Sequence, residues 1–151
     1  MQIWIGTVDV KSAPVHFYAQ ISTSFSTADN AIPFDSIKFN LGNAYSATGE
    51  FVAPTSGIYY FACSGVGYTL GKELHFSLQK KSGTADWTDV GSTLGIFSPL
   101  QYPFTLQSTL QLFKDDQVRL FLYHGIIFGE DEMQYTHFLG WLIEEDQLPV
   151  G

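Results

Sequence analysis

Residues 104–124 read FTLQSTLQLFKDDQVRLFLYH, the longest stretch of the chain without glycine or proline and so the fairest place to look for a helix. A helix brings its apolar face round about every 3.6 residues and a half-buried strand every second residue. Phe104, Leu106, Leu110 and Leu112 fall on one parity, and Thr105, Gln107, Thr109 and Gln111 on the other. Lys114-Asp115-Asp116 makes a polar turn, after which Val118, Leu120 and Leu122 resume the alternation against Arg119, Phe121 and Tyr123. Period two on both sides of a short turn predicts a β-hairpin.

The same reading extends outward. Val15, Phe17, Ala19 and Ile21 alternate with His16, Tyr18, Gln20 and Ser22, and Leu74, Phe76 and Leu78 alternate with His75, Ser77 and Gln79. Turn signals separate these runs: Asp29-Asn30, Gly42-Asn43, Pro54 to Gly57, Ser82-Gly83 and Gly129. Strands at this spacing with no helix between them predict an all-β, antiparallel sandwich. The chain has 151 residues, enough to hide roughly two-thirds of its unfolded surface in one core. No repeat, linker or low-complexity tract divides it, so a single domain is expected.

Two strands are apolar on both parities. Ile58, Tyr60 and Ala62 oppose Tyr59, Phe61 and Cys63, and Leu139, Trp141 and Ile143 accompany Phe138 and Leu142. Phe121 and Tyr123 add an aromatic outer side to a third. A sandwich normally leaves one face of each sheet wet. An apolar outer face needs a cover, which is either an overlying loop or terminus or a neighbouring subunit.

Charge and motif content narrow the function. Fifteen acids oppose seven bases for a net charge of −8, and the only adjacent basic pair is Lys80-Lys81. Phosphate backbones and anionic membranes are held by clusters of Lys and Arg, so nucleic acid and membrane surfaces are not expected partners. No apolar run approaches a membrane span, and the first ten residues do not read as a signal peptide. There is no G-x-S-x-G, P-loop, H-E-x-x-H or dinucleotide turn, so no catalytic residue is assigned and an enzyme is not expected. Cys63 is the only cysteine and reads as a buried, inert thiol. His16, His75, His124 and His137 are scattered, without metal-ligand spacing.

The run Phe39-Asn40, Tyr45, Thr48-Gly49, Phe51, Ala53-Pro54 and Gly57-Ile58-Tyr59-Tyr60-Phe61 resembles the signature of the complement C1q globular-head domain, with Phe34, Asn40 and Tyr45 matching its opening spacing. Asp116-Gln117-Val118-Arg119-Leu120 is similar to the family's G-D-x-V-x-L strand, with Asp115 in place of glycine, and Phe138 to Ile143 to its closing F-x-G-F-L-L strand. Two positions depart: five residues separate Tyr45 from Phe51 instead of six, and Cys63 stands where the family has Phe or Tyr. The resemblance covers roughly residues 14–145, flanked by an N-terminal extension over 1–13 and an acidic tail over 146–151.

The resemblance implies a ten-stranded antiparallel jelly roll of the C1q and tumour necrosis factor type, assembling as a compact homotrimer. Candidate interface residues are Tyr18, Tyr60, Phe121 and Tyr123, with the parity that faces the axis left open. His16 and His137 should lie on neighbouring strands. A secreted, non-enzymatic recognition module follows, without the family's collagen stalk, binding microbial carbohydrate or lipopolysaccharide through the avidity of three copies. A trimeric, cytokine-like ligand for a cell-surface receptor and a structural trimerisation head are the alternatives.

Three places could carry ligands. Glu130-Asp131-Glu132, before the last strand, offers the oxygen ligands that calcium prefers, as the same loop does in some family members; its plain alternative is a solvated acidic turn. Asp86-Trp87-Thr88-Asp89 sets an aromatic between acids, which suits a sugar ring and its hydroxyls, or else is a Trp folded back on the sandwich edge. Tyr68 and Lys72 beside another turn present the same alternatives. Glu144-Glu145-Asp146 reads as a solvated terminus.

Overall fold

The computed structural model describes residues 13–96, 101–130 and 133–147, so Met1 to Ser12 of the expected extension and the last residues of the tail lie outside the described residues. The described residues hold twelve strands and no helix. They are β1 (His16–Gln20), β2 (Thr23–Phe25), β3 (Asn30–Ala31), β4 (Ser36–Leu41), β5 (Phe51–Val52), β6 (Gly57–Tyr68), β7 (Glu73–Lys81), β8 (Thr88–Ile96), β9 (Tyr102–Leu112), β10 (Gln117–His124), β11 (Ile126–Glu130) and β12 (His137–Glu145). The count exceeds the expected ten, and β3 and β5 are pairings of only two residues each.

Two antiparallel sheets face each other as a jelly-roll sandwich. In the first, β6 pairs with β9 along one edge and with β12 and β11 along the other; β12 continues to β1 and β4, and β11 to β2. In the second, β10 joins β3 and β5 to β7, which continues to β8. The inward parities are the ones the alternation selects. Val15, Phe17, Ala19 and Ile21 are buried, as are Leu74, Phe76 and Leu78, and Val118, Leu120 and Leu122. Each large side chain so buried contributes ~1.5–3 kcal/mol.

The expected hairpin over 104–124 is not formed. β9 lies in the first sheet on β6 and β10 in the second on β7, so the turn between them carries the chain across the sandwich. The turn is fastened from inside. The buried Asp116 accepts the Phe113 N–H at 2.9 Å, and the Asp115 N–H donates to the Ala53 carbonyl at 2.7 Å. Asp115, at the position where the resemblance has glycine, takes a left-handed backbone with φ of 74°, a conformation that Asp tolerates better than most residues.

The motif residues build the middle of the core. Asn40 donates to the Tyr45 carbonyl at 2.7 Å and accepts the Tyr45 N–H at 3.2 Å, which closes the turn after β4. The Tyr45 hydroxyl donates to the Phe34 carbonyl at 2.9 Å, and its ring stacks on Phe17 at 4.3 Å. Burial pushes the Tyr45 phenol well above its ordinary range. Phe51, Tyr59, Phe61 and Phe138 pack round this pair. Gly140 lies against the rings of Phe17 and Phe61 and has no room for a side chain. Glu145 belongs to β12 and accepts the Thr55 hydroxyl at 2.8 Å, and the Asp146 N–H donates to Ser56. That start of the acidic run is therefore tied to the sandwich and is not a free terminus.

Candidate functional site

The outer face of the first sheet is built by register. Tyr60 on β6 stands opposite Trp141 on β12, and His16 on β1 opposite the other side of Trp141. One row along, Ala62, Leu139, Tyr18 and Phe39 line up across β6, β12, β1 and β4. These side chains cannot turn inward, because Tyr59, Phe61 and Phe17 occupy that parity. They pack on each other: His16 edge-on to Phe39 at 4.8 Å, Tyr18 on Phe39 at 6.1 Å, Tyr60 on Trp141 at 4.7 Å. Trp141 is still 37% exposed and Phe39 41%. No Asp, Glu, Lys or Arg stands in these two rows.

His137 sits in the next row, opposite Ser64 and Gln20. Its Nε2 is 2.6 Å from the Ser64 hydroxyl, its ring stacks on Tyr18 at 5.6 Å, and its buried Nδ1 has no hydrogen-bond partner. Burial pulls its pKa below the ordinary histidine value. His16 and His137 thus lie on paired strands and one face, as expected.

Phe121 and Tyr123 lie elsewhere. They point outward from β10 in the second sheet, so within one chain they stand on a different face from Tyr18 and Tyr60. Their cover comes from their own chain. Trp87, in the turn before β8, folds back onto this sheet, and the Arg119 guanidinium lies 4.0 Å from its ring centre and 4.8 Å from that of Phe121. Arg119 Nε donates to Gln79 Oε1 at 2.9 Å. Gln79, 5% exposed, donates to Asp89 Oδ1 at 3.0 Å and to the Tyr123 hydroxyl at 3.2 Å. The Tyr123 hydroxyl donates to the Asp89 carboxylate, 2.8 Å from its nearer oxygen. Burial and then this carboxylate raise the Tyr123 phenol above its usual value.

The expected sugar-binding set is therefore split. Asp86, Trp87 and Asp89 are neighbours, but Trp87 is half-buried under a cation and Asp89 is occupied by Tyr123 and Gln79. Tyr68 and Lys72 lie at the other end of β7, where Tyr68 packs edge-on to Phe128 at 4.5 Å and Lys72 is exposed in the β6–β7 turn. Sequence reasoning missed Arg119 and Gln79. Their signal is the outward parity of the chain's one arginine beside Phe121.

The acidic loop is only partly visible. Glu130 ends β11 and is exposed; Asp131 and Glu132 lie outside the described residues. Among the described residues no three carboxylate, imidazole or thiol groups converge. Of the acidic loop, Glu130 alone falls among the described residues. Cys63 is buried, and burial pushes its thiol pKa well up, so it is held protonated. A cleft of about 620 Å³ lies beside the β4–β5 connection, with Asn43, Glu50 and Asp115 among its walls. No helix of the described residues is long and apolar enough to cross a membrane.

Comparison with known proteins follows the same lines. The human "Complement C1q tumor necrosis factor-related protein 3" is 30% identical over 139 residues, covering 87% of this chain and 52% of that protein. The zebrafish Caprin-2 is 29% identical over 146 residues, covering 88% of this chain and 15% of that protein. The chain thus spans about half the length of the first of these relatives, 52%, and less of the second. Among solved structures, the globular domain of zebrafish complement 1qA superposes with a TM-score of 0.70 at 18% identity, covering 87% of this chain and 99% of that one. The Eiger TNF of S. frugiperda superposes at 0.64 with 13% identity, covering 92% and 97%. The C1q domain family model matches residues 16–143, a span that takes in the Asn40–Tyr45 clasp, the aromatic core and the outer face of β6 and β12: the chain belongs to the C1q domain family.

Proposed function

We propose that this domain is a secreted, non-enzymatic recognition module that works as a homotrimer and binds carbohydrate or lipopolysaccharide of microbial surfaces. The observation that carries the assembly is the pair of uncharged aromatic rows on the outer face of the first sheet. Trp141 and Phe39 are 37% and 41% exposed on it, beside Leu41 and Ile143 at 50% and 51%. An antiparallel sheet keeps such a face when another surface covers it. Tyr18 and Tyr60 belong to this assembly face; Phe121 and Tyr123 do not. Three copies turn weak single sites into avid binding. The net charge of −8 disfavours nucleic acid as the ligand. Calcium enters the proposal through Glu130, Asp131 and Glu132.

Light scattering at micromolar concentration tests the assembly, and a glycan and lipopolysaccharide array with and without calcium tests the ligand. A monomer of 16.8 kDa overturns the assembly, and an array on which nothing binds overturns the carbohydrate. The second reading is a ligand for a cell-surface receptor, favoured by the tumor necrosis factor in the human relative's name. Saturable binding to cells that ignores competing sugars selects it.

A further inference from the structure

Arg119 is held in a manner that its structural role does not require. Its guanidinium is fixed by the Trp87 and Phe121 rings and by one hydrogen bond from Nε to Gln79. Gln79 is in turn fixed by Asp89 and Tyr123. The Nη nitrogens have no hydrogen-bond partner and no ion pair among the described residues. A guanidinium so held presents its donors as a rigid fork, the geometry that matches a carboxylate with two parallel hydrogen bonds. A second cation is at hand: the Lys81 ammonium is 6.0 Å from the Trp87 ring centre.

The surroundings limit what can bring that carboxylate. Burial works against the Arg119 charge, and the nearby Glu50 carboxylate works for it. Glu50 and the exposed Asp86 accept no side-chain hydrogen bond and form no ion pair among the described residues. Glu50 near Arg119, and Asp86 next in sequence to Trp87, disfavour a polyanion. They suit a ligand that carries one carboxylate among hydroxyl groups, since the hydroxyls donate to the acids while the carboxylate accepts from the fork. Glu50 also lines the cleft of about 620 Å³, which gives such a chain room to continue.

We infer that the outer face of the second sheet is a binding site for an acidic, uronate-type saccharide, with Arg119 as the carboxylate fork, Lys81 as supporting charge, and Glu50 and Asp86 as hydroxyl acceptors. The inference rests on the carbohydrate reading and narrows it to one ligand class and one place.

The test is calorimetric titration of the whole chain with a galactose trisaccharide in which one residue is galacturonate, its fully neutral counterpart, heparin and an acidic peptide. The mono-uronate trisaccharide binds about tenfold or more tighter than the neutral one, and its affinity falls with salt. Arg119→Lys keeps the charge but loses the fork, and weakens the mono-uronate trisaccharide about tenfold, measured at a temperature where both proteins are folded. Lys81→Gln, outside the hydrogen-bonded network, weakens it less, so the inference stays testable if Arg119→Lys disturbs the fold. Equal binding of the neutral sugar, tighter binding of heparin or of the peptide, or indifference to both variants overturns this site. Binding to neutral sugars alone leaves the carbohydrate reading standing; binding to no saccharide removes both.

Discussion

Tyr60 stands opposite Trp141 across the β6–β12 ladder, their rings 4.7 Å apart and both on the side away from the core. The Tyr60 hydroxyl spends its proton on Gln107 of β9 at 2.7 Å, so the pair is tied to the sheet on both edges of β6. A surface so organised is firm before anything docks on it, and docking then costs little side-chain entropy.

The first prediction follows from that pair. Trp141→Asp places a charge where an assembled trimer has an apolar contact, and the contact recurs in every copy at ~1.5–3 kcal/mol each. Light scattering on the parent should read three times 16.8 kDa and on Trp141→Asp the single mass. Phe121→Asp is the contrasting case. Its ring covers Arg119 on the other sheet, so the mass should stay trimeric while the environment of Trp87 changes. The reverse pattern would move the interface to the second sheet.

Much of this fold is legible in the sequence, because burial in a sandwich is a matter of parity and parity is written in alternation. Phe17, Leu74, Leu78, Leu120 and Leu122 are buried for that reason. Alternation does not say which sheet a strand belongs to. Tyr60 and Phe121 both read as outward, and they point outward from different sheets. The hairpin over 104–124 fails in the same way: the Lys114–Asp116 turn reads identically whether it joins neighbours or crosses the core. The site was least legible. Trp87 lies in a turn, and no periodicity announces that its ring folds back onto Arg119.

The second prediction concerns the core. A Cβ on Gly140 would meet the Phe61 ring at 2.7 Å and the Phe17 ring at 2.8 Å. Both rings are pinned by neighbours, Phe17 by Tyr45 and Phe61 by Phe51 at 5.2 Å. Gly140→Ala should therefore destabilise the domain by ~1–3 kcal/mol, read as a lower urea midpoint with an unchanged slope. A midpoint equal to the parent's would mean that the rings yield freely.

The third prediction concerns the loop after β11. Calcium bound to the folded trimer and not to the unfolded chain raises the melting temperature. Millimolar calcium should raise it more than magnesium, which gives up its water reluctantly. Changing Glu130, Asp131 and Glu132 to their amides should erase the difference. Identical melting in calcium and in chelator removes the ion from the proposal.

The fourth prediction concerns pH. His137 is half-buried, with Nδ1 unpartnered and no charged side chain in its row or in the rows of Tyr18 and Tyr60. Burial holds its folded pKa below the value of ~6.5 expected of the unfolded chain. Above that value both states are neutral and His137 costs nothing. As pH falls through it, the unfolded chain takes up the proton first, so stability declines until the folded pKa is passed. Docking on this face deepens the burial and extends the decline to lower pH. Asp35 acts in a different window. Burial pushes its pKa up, but the Ser22 hydroxyl at 2.6 Å and amide at 3.0 Å outweigh that and hold it low. Its contribution is therefore present above ~3.9 and lost only in stronger acid. Melting temperature and mass should both fall as the pH drops below about 6.5 in the parent, by an amount that His137→Gln removes. A parallel decline in His137→Gln would assign the titration to another group.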